Sequence, residues 1–261
     1  MDLATWSEMQ ISLFMLVYFR NLGLLTGAPL FQSRNLPSKV RASIALFLSF
    51  IFVPLIQPLV ALPAHFGVFV LYLVQEFVVG LLMGYILYLT FAGLQLAGQL
   101  VDRPMGFAMV NVLDPYTGSQ MPILGQLYYI IALWIFILVK GDHTLFNVLS
   151  QSYRLLPVGG EILFAKGLPY ILKAFSGLFW LAVQVALPIF GVLFLTDVGL
   201  GVLAKLVPQI NVFFIGFPLK NFLGFTLLSL SLPVLIRWLA GYFSASGSVW
   251  TELLRFLNTI R

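Results

Sequence analysis

The sequence predicts an all-α integral membrane protein whose helices are broken by proline and glycine. Three observations predict it. First, the 261 residues are 61% hydrophobic and only 9% charged, with a mean hydropathy of +1.02. A soluble domain carries about 25% charged residues, so 14 Lys+Arg and 9 Asp+Glu cannot cover a water-facing surface. Second, six apolar blocks reach the roughly 20 residues that a helix needs to cross a bilayer. Third, prolines and glycines recur inside those blocks.

The same composition excludes several functions. The net charge of +5 is scattered, and the chain has neither a Lys/Arg run nor a glycine-rich phosphate loop, which argues against nucleic acid. With no cysteine there is no disulfide, thiolate metal site or cysteine nucleophile. The two histidines, His65 and His143, lack ligand spacing, so no metal and no cofactor is expected. No paired His, catalytic Asp pair in matching helices, Ser/His set or HExxH is present, so an intramembrane enzyme is disfavoured.

The blocks run over residues 9–30, 42–63, 67–98, 122–139, 168–195 and 212–243. The first follows an acidic start, MDLATWSEMQ, without the positive region or cleavage site of a secretory signal, so it is expected to stay in the mature protein. The second contains Pro54 and Pro58. The third carries Gly80 and Gly84 in a GxxxG frame, then Gly93, Ala97 and Gly98, spacing that permits close helix approach. The fifth contains Pro188 and Gly191, and the sixth Pro218, Gly224 and Pro233. Each proline removes a backbone donor and clashes with the preceding turn, so bent helices packed on other protein are expected.

Charge does not fit six simple crossings. Arg34, Lys39 and Arg41 argue that the first link is cytoplasmic. Alternation then puts Lys140, Arg154, Lys166 and Lys173 outside, while the link after block three holds only Arg103 against Asp102 and Asp114. Arg20, Glu76, Asp197 and Arg237 fall inside blocks, where a charge is costly unless paired or wet. They read either as a proton or ion path or, the favoured expectation, as buried charges held in ion pairs or hydrogen bonds between subunits. A faint repeat relates TFAGLQLAGQLV (90–101) to TDVGLGVLAKLV (196–207), each followed by a polar, proline-containing turn.

Two segments are broken. Residues 105–126, MGFAMVNVLDPYTGSQMPILGQ, open apolar and turn at Asp114-Pro115. Residues 203–222, LAKLVPQINVFFIGFPLKNF, should break at Pro208, use Gln209 and Asn211 on freed backbone groups, and bend again at Gly216-Phe217-Pro218. Irregular backbone at membrane depth is tolerated only where protein buries it or a cavity needs it. Both read as pore, gate or subunit contact, or as ordinary interhelical loops.

Together, MGF…LDPYTGSQMPILGQ, the GxxxG-rich third block and LVPQINVFFIGFPLKN resemble the FliR family of flagellar biosynthetic proteins, nearly end to end. Its relatives are the T-type export-apparatus proteins of virulence type III secretion. The resemblance implies a non-enzymatic subunit of extended helical hairpins. One copy would assemble with several copies of FliP and FliQ into a helical, closed export gate for unfolded protein cargo. FlhB would wrap the entrance, with FlhA nearby. The location implied is the bacterial inner membrane, multi-pass, within the flagellar basal body and its lipids.

The resemblance also implies a single membrane-embedded domain over 1–261, a plug loop over 106–120 and a broken-helix segment over 203–222. In the plug, Gly106, Phe107, Met109, Val110 and Val112 would block the channel and Asp114-Pro115 would set the turn. Some relatives have Phe at the positions of Met109 and Val112. Pro208, Gln209, Asn211, Gly216, Phe217 and Pro218 would form a bend in the gate wall. Two other readings remain: a virulence homologue, and a small-solute or ion transporter using Glu76 and Asp197.

Overall fold

The computed structural model describes residues 3–32, 36–56, 65–107, 122–160, 162–209 and 211–261, with side chains from Gln10 onward. Their elements are helical, and the chain is an all-α integral membrane protein. In order they are α1 (Leu3–Gly27), α2 (Ser38–Phe52) with a 3-10 turn at Val53–Leu55, α3 (Phe66–Met105), α4 (Ile123–Leu138), α5 (Gly141–Leu155), α6 (Phe164–Leu206), α7 (Val212–Phe243) and α8 (Ser248–Ile260).

Four stretches are long and apolar enough to cross a membrane: Ser38–Leu55, Phe66–Met105, Phe164–Leu206 and Val212–Ile260. The α4–α5 pair adds a fifth only as a bent span, turned by 70°. Six crossings are therefore not supported. The first block is not among them: Arg20 and Asn21 lower the hydropathy of α1, and both are fully buried. They serve internal hydrogen bonds instead of a lipid-facing wall.

Three further features define the elements. The link after block four is not a loop. It contains α5, whose Leu145, Val148, Leu149 and Tyr153 are buried while His143, Asn147, Gln151 and Arg154 are exposed. This is the amphipathic pattern of a helix with one wet face. Its start is set by Lys140, which has left-handed backbone (φ 58°). Beyond block six, α8 closes the chain with Val249, Trp250, Leu253, Phe256, Leu257 and Ile260 buried. Finally, α6 and α7 run on without a break through Pro188, Pro218 and Pro233. In an apolar setting, one lost hydrogen bond does not outweigh the many that helix continuity retains.

The single domain expected over 1–261 is organised as two compact units. Unit 1 comprises residues 1–89, 140–174 and 243–261; unit 2 comprises 90–139 and 175–242. Helices α3 and α6 each contribute to both.

Unit 1 is centred on the crossing of α1 and α3. The GxxxG frame at Gly80 and Gly84 meets a second one, Gly23 and Gly27, on α1. A Cβ at Gly84 would lie 2.6 Å from the Leu24 carbonyl, and one at Gly27 the same distance from the Leu81 carbonyl. The backbones therefore touch, as small residues allow between apolar helices. Helix α8 packs on α5, and its end is tied by the Leu163 N–H donating to the Ile260 carbonyl at 2.9 Å.

Candidate functional site

One helical turn before the α1–α3 glycine crossing lies a buried polar network. Arg20 donates from Nε to Glu76 Oε2 at 2.5 Å, with both side chains buried. Its Nη1 reaches the carbonyls of Leu156 at 2.9 Å and Ser152 at 3.2 Å. The guanidinium stacks over the Tyr153 ring, 4.7 Å from its centroid. Tyr153 in turn donates to Asn21 Oδ1 at 2.7 Å, and Asn21 donates to Ser49 at 2.9 Å. The other Glu76 oxygen accepts the Gly159 N–H at 3.2 Å. Gly159 holds φ +78°, a backbone state that glycine adopts without strain, so this N–H can turn inward. The network joins α1, α2, α3, α5 and the 156–160 turn within unit 1.

This arrangement consumes both lone-pair faces of Glu76. Its chemistry is that of a structural ion pair, with no free carboxylate to bind a solute. Arg20 and Glu76 are thus buried. Asp197 and Arg237 lie on faces that this chain alone does not cover. Asp197 pairs with Lys220 across α6 and α7 but stays 43% exposed, because a partner at the hairpin edge satisfies its charge there. Arg237 is exposed because it lies opposite Leu235 and Leu239, the buried positions of that stretch of α7.

Unit 2 brings together the edges of the two broken segments. Three consecutive residues at the end of α3 engage α7. The Met105 thioether lies against Gly224, where a Cβ would come within 2.6 Å of its sulfur. Gly106 sits under the Phe217 ring, where a Cβ would be 2.8 Å from Cε2, and its φ of +88° suits glycine. Phe107 meets Phe225 edge-on, with centroids 5.9 Å apart. Helical spacing puts Phe217 and Gly224 on one face of α7. Phe217 is thus a ring contact within a helix, and Gly216-Phe217-Pro218 does not interrupt α7. Met109, Val110, Val112, Asp114 and Pro115 lie outside the described residues.

The break at Pro208 is present. Helix α6 ends at Leu206, Pro208 and Gln209 form a turn, and α7 starts at Val212. Asn211 caps α7, its Oδ1 accepting the Phe213 N–H at 3.2 Å. Gly216 then brings α7 close to Leu200 of α6.

Sequence reasoning missed Asp102, treating it only as a counter-charge to Arg103. It is buried, 4% exposed, and its Oδ1 accepts the Leu124 N–H at 3.1 Å, at the start of α4. The signal was available: Pro122 precedes α4 and offers no side-chain acceptor, so a cap had to come from elsewhere. Asn21, Ser49 and Tyr153 were also missed, since each is an ordinary polar residue until the fold places them together.

The profile of the bacterial export proteins, family 1, matches residues 11–246. The chain belongs to this family. FliR, the flagellar biosynthetic protein of Bacillus subtilis (strain 168), is 34% identical over 94% of this chain and 95% of its own length. The flagellar biosynthetic protein FliR of Escherichia coli (strain K12) is 28% identical, covering 96% and 95%. The secretion system apparatus protein SsaT of Salmonella typhimurium (strain LT2) is 28% identical, covering 83% and 85%. As a member of the export-protein family, this chain carries its match across both units.

Proposed function

We propose that this chain is a structural subunit of the flagellar type III protein export gate. It assembles as one copy with FliP and FliQ into a closed channel for unfolded flagellar proteins, in the bacterial inner membrane at the basal body. FlhB surrounds the entrance and FlhA lies nearby. The observation that carries the reading is near full-length similarity to FliR proteins, in a chain where Gly106, at the start of one segment that carries that resemblance, lies under the ring of Phe217 from the other.

The chemistry of these segments supports a seal. An apolar constriction stops water and ions without a charged filter. Passing polypeptide needs a lining without a binding site, and Met, Phe and Val side chains provide one. Methionine adapts its shape as neighbours move. The plug over 106–120 seals the resting gate and is displaced during export, with the PQIN turn and the start of α7 forming part of the wall.

The transporter reading is weakened because Glu76 and Asp197 each already hold an ion-pair partner. Native mass spectrometry of the chain co-expressed with FliP and FliQ tests assembly. A single copy within a large hetero-oligomer is expected; a stable monomer or symmetric homo-oligomer sinks the proposal. Deleting residues 107–117 should raise ion leakage through the assembled complex, and an unchanged leak with normal assembly removes the plug.

A further inference from the structure

We infer that Asp102 is a positioning residue that sets the spacing between the end of α3 and the start of α4, and that it does so as a hydrogen-bond acceptor rather than as a charge. Its effect on the seal rests on the plug reading above; the spacing itself does not.

Residues 106–121 leave from the end of α3 and return at the start of α4. The departure point is held by α7 through Met105, Gly106 and Phe107. The return point is held by α3 itself. Gly98 lies against the backbone of Gly125, and a Cβ at Gly125 would lie 2.8 Å from the Gln95 carbonyl. Asp102, one turn beyond Gly98 on the same face, then accepts the Leu124 N–H. The glycines permit the approach and the carboxylate fixes its register.

The other carboxylate oxygen, Oδ2, is buried without a hydrogen-bond partner, and no described cation pairs with Asp102. A buried charge without a cation is unfavourable. The compensation here is the start of α4, where Pro122 supplies no side-chain cap and the Leu124 N–H donates to the carboxylate. That role needs an acceptor oxygen in this place, and an amide oxygen provides it. A residue that acted by ionising would need its charge.

The chain has no cysteine, so labelled pairs can be introduced without background. Arg103→Cys and Leu127→Cys are surface positions on α3 and α4. Spin labels there, in the complex assembled with FliP and FliQ, read the helix spacing directly. Asp102→Asn should keep the narrow distance distribution of the parent, while Asp102→Ala should broaden it and move it outward. Ion leakage should follow: unchanged for Asp102→Asn, and for Asp102→Ala close to that of the 107–117 deletion, with no further increase when the two are combined.

A distance change in Asp102→Asn overturns the acceptor role, and an unchanged distance in Asp102→Ala overturns the positioning role. If Asp102→Ala does not assemble, the Asp102→Asn distances decide alone. A leak-free deletion together with moved labels in Asp102→Ala would remove the plug reading and leave the spacing inference standing.

Discussion

At the scale of single residues, the costliest commitment in unit 1 is the Arg20–Glu76 pair. Desolvating two charges is expensive, and their attraction recovers that cost only when geometry is good and remaining donors are satisfied. Here three acceptors surround Nη1 and Gly159 satisfies the second carboxylate oxygen, while Nη2 is buried without a hydrogen-bond partner among the described residues. Removing one partner should therefore hurt more than removing both. Glu76→Gln should destabilise the fold by roughly 3–5 kcal/mol, the cost of a broken buried pair. Combined Arg20→Met and Glu76→Met should be milder than Glu76→Gln alone. Thermal unfolding of the detergent-solubilised complex checks the order, and equal losses for both variants would contradict it.

At the scale of elements, glycines separate into two kinds by what a methyl group would meet. Gly80 faces the Arg20 carbonyl across the α1–α3 crossing, where a Cβ overlaps backbone that cannot rotate away. Gly177 on α6 has open space around it. Gly80→Ala should abolish stable assembly, whereas Gly177→Ala should be neutral or gain up to about 1 kcal/mol from helix propensity. Yield of folded complex by size-exclusion chromatography separates the outcomes. A tolerated Gly80→Ala would mean that the two helices are held apart in the assembled state. The helical prolines follow similar logic. Pro218 and Pro233 sit within α7 rather than ending it, while Pro208 falls where α6 stops and Asn211 restarts the chain with a cap.

At the scale of the whole molecule, both units expose large apolar side chains, among them Phe47 and Phe66 in unit 1 and Phe214 and Phe222 in unit 2. Lipid or partner subunits can cover such faces, and the proposed gate supplies both. The exposed Asp197–Lys220 pair then acts as a local staple and not as a coupling site. Asp197→Asn with Lys220→Met should leave flagellar export near parental levels, because the charges are removed together. A transporter that uses Asp197 for coupling would be silenced by the same change. Motility of a strain carrying only this variant gives the readout, and loss of export with normal complex assembly would revive the transporter reading.

The membrane class, the family resemblance and the rough placing of the apolar blocks were legible in the order of residues alone. Hydropathy, composition and two unusual motifs are local properties, readable without a partner. That order also marked Gly80, Gly84 and Pro208, whose consequences follow from their own backbone chemistry. Which charges the chain itself encloses emerged from the fold, because burial depends on what the rest of the chain brings alongside. Arg20 and Asp197 look alike in the sequence, yet one is enclosed by α3 and α5 while the other meets Lys220 at an exposed hairpin edge. The two amphipathic helices, α5 and α8, went unread because neither is an apolar block by itself, and their apolar faces are covered only once the fold brings them against each other, with α1 and α2 alongside. Asp102 shows the same limit most sharply: its partner lies 22 residues away, across a segment whose ends the fold alone brings together.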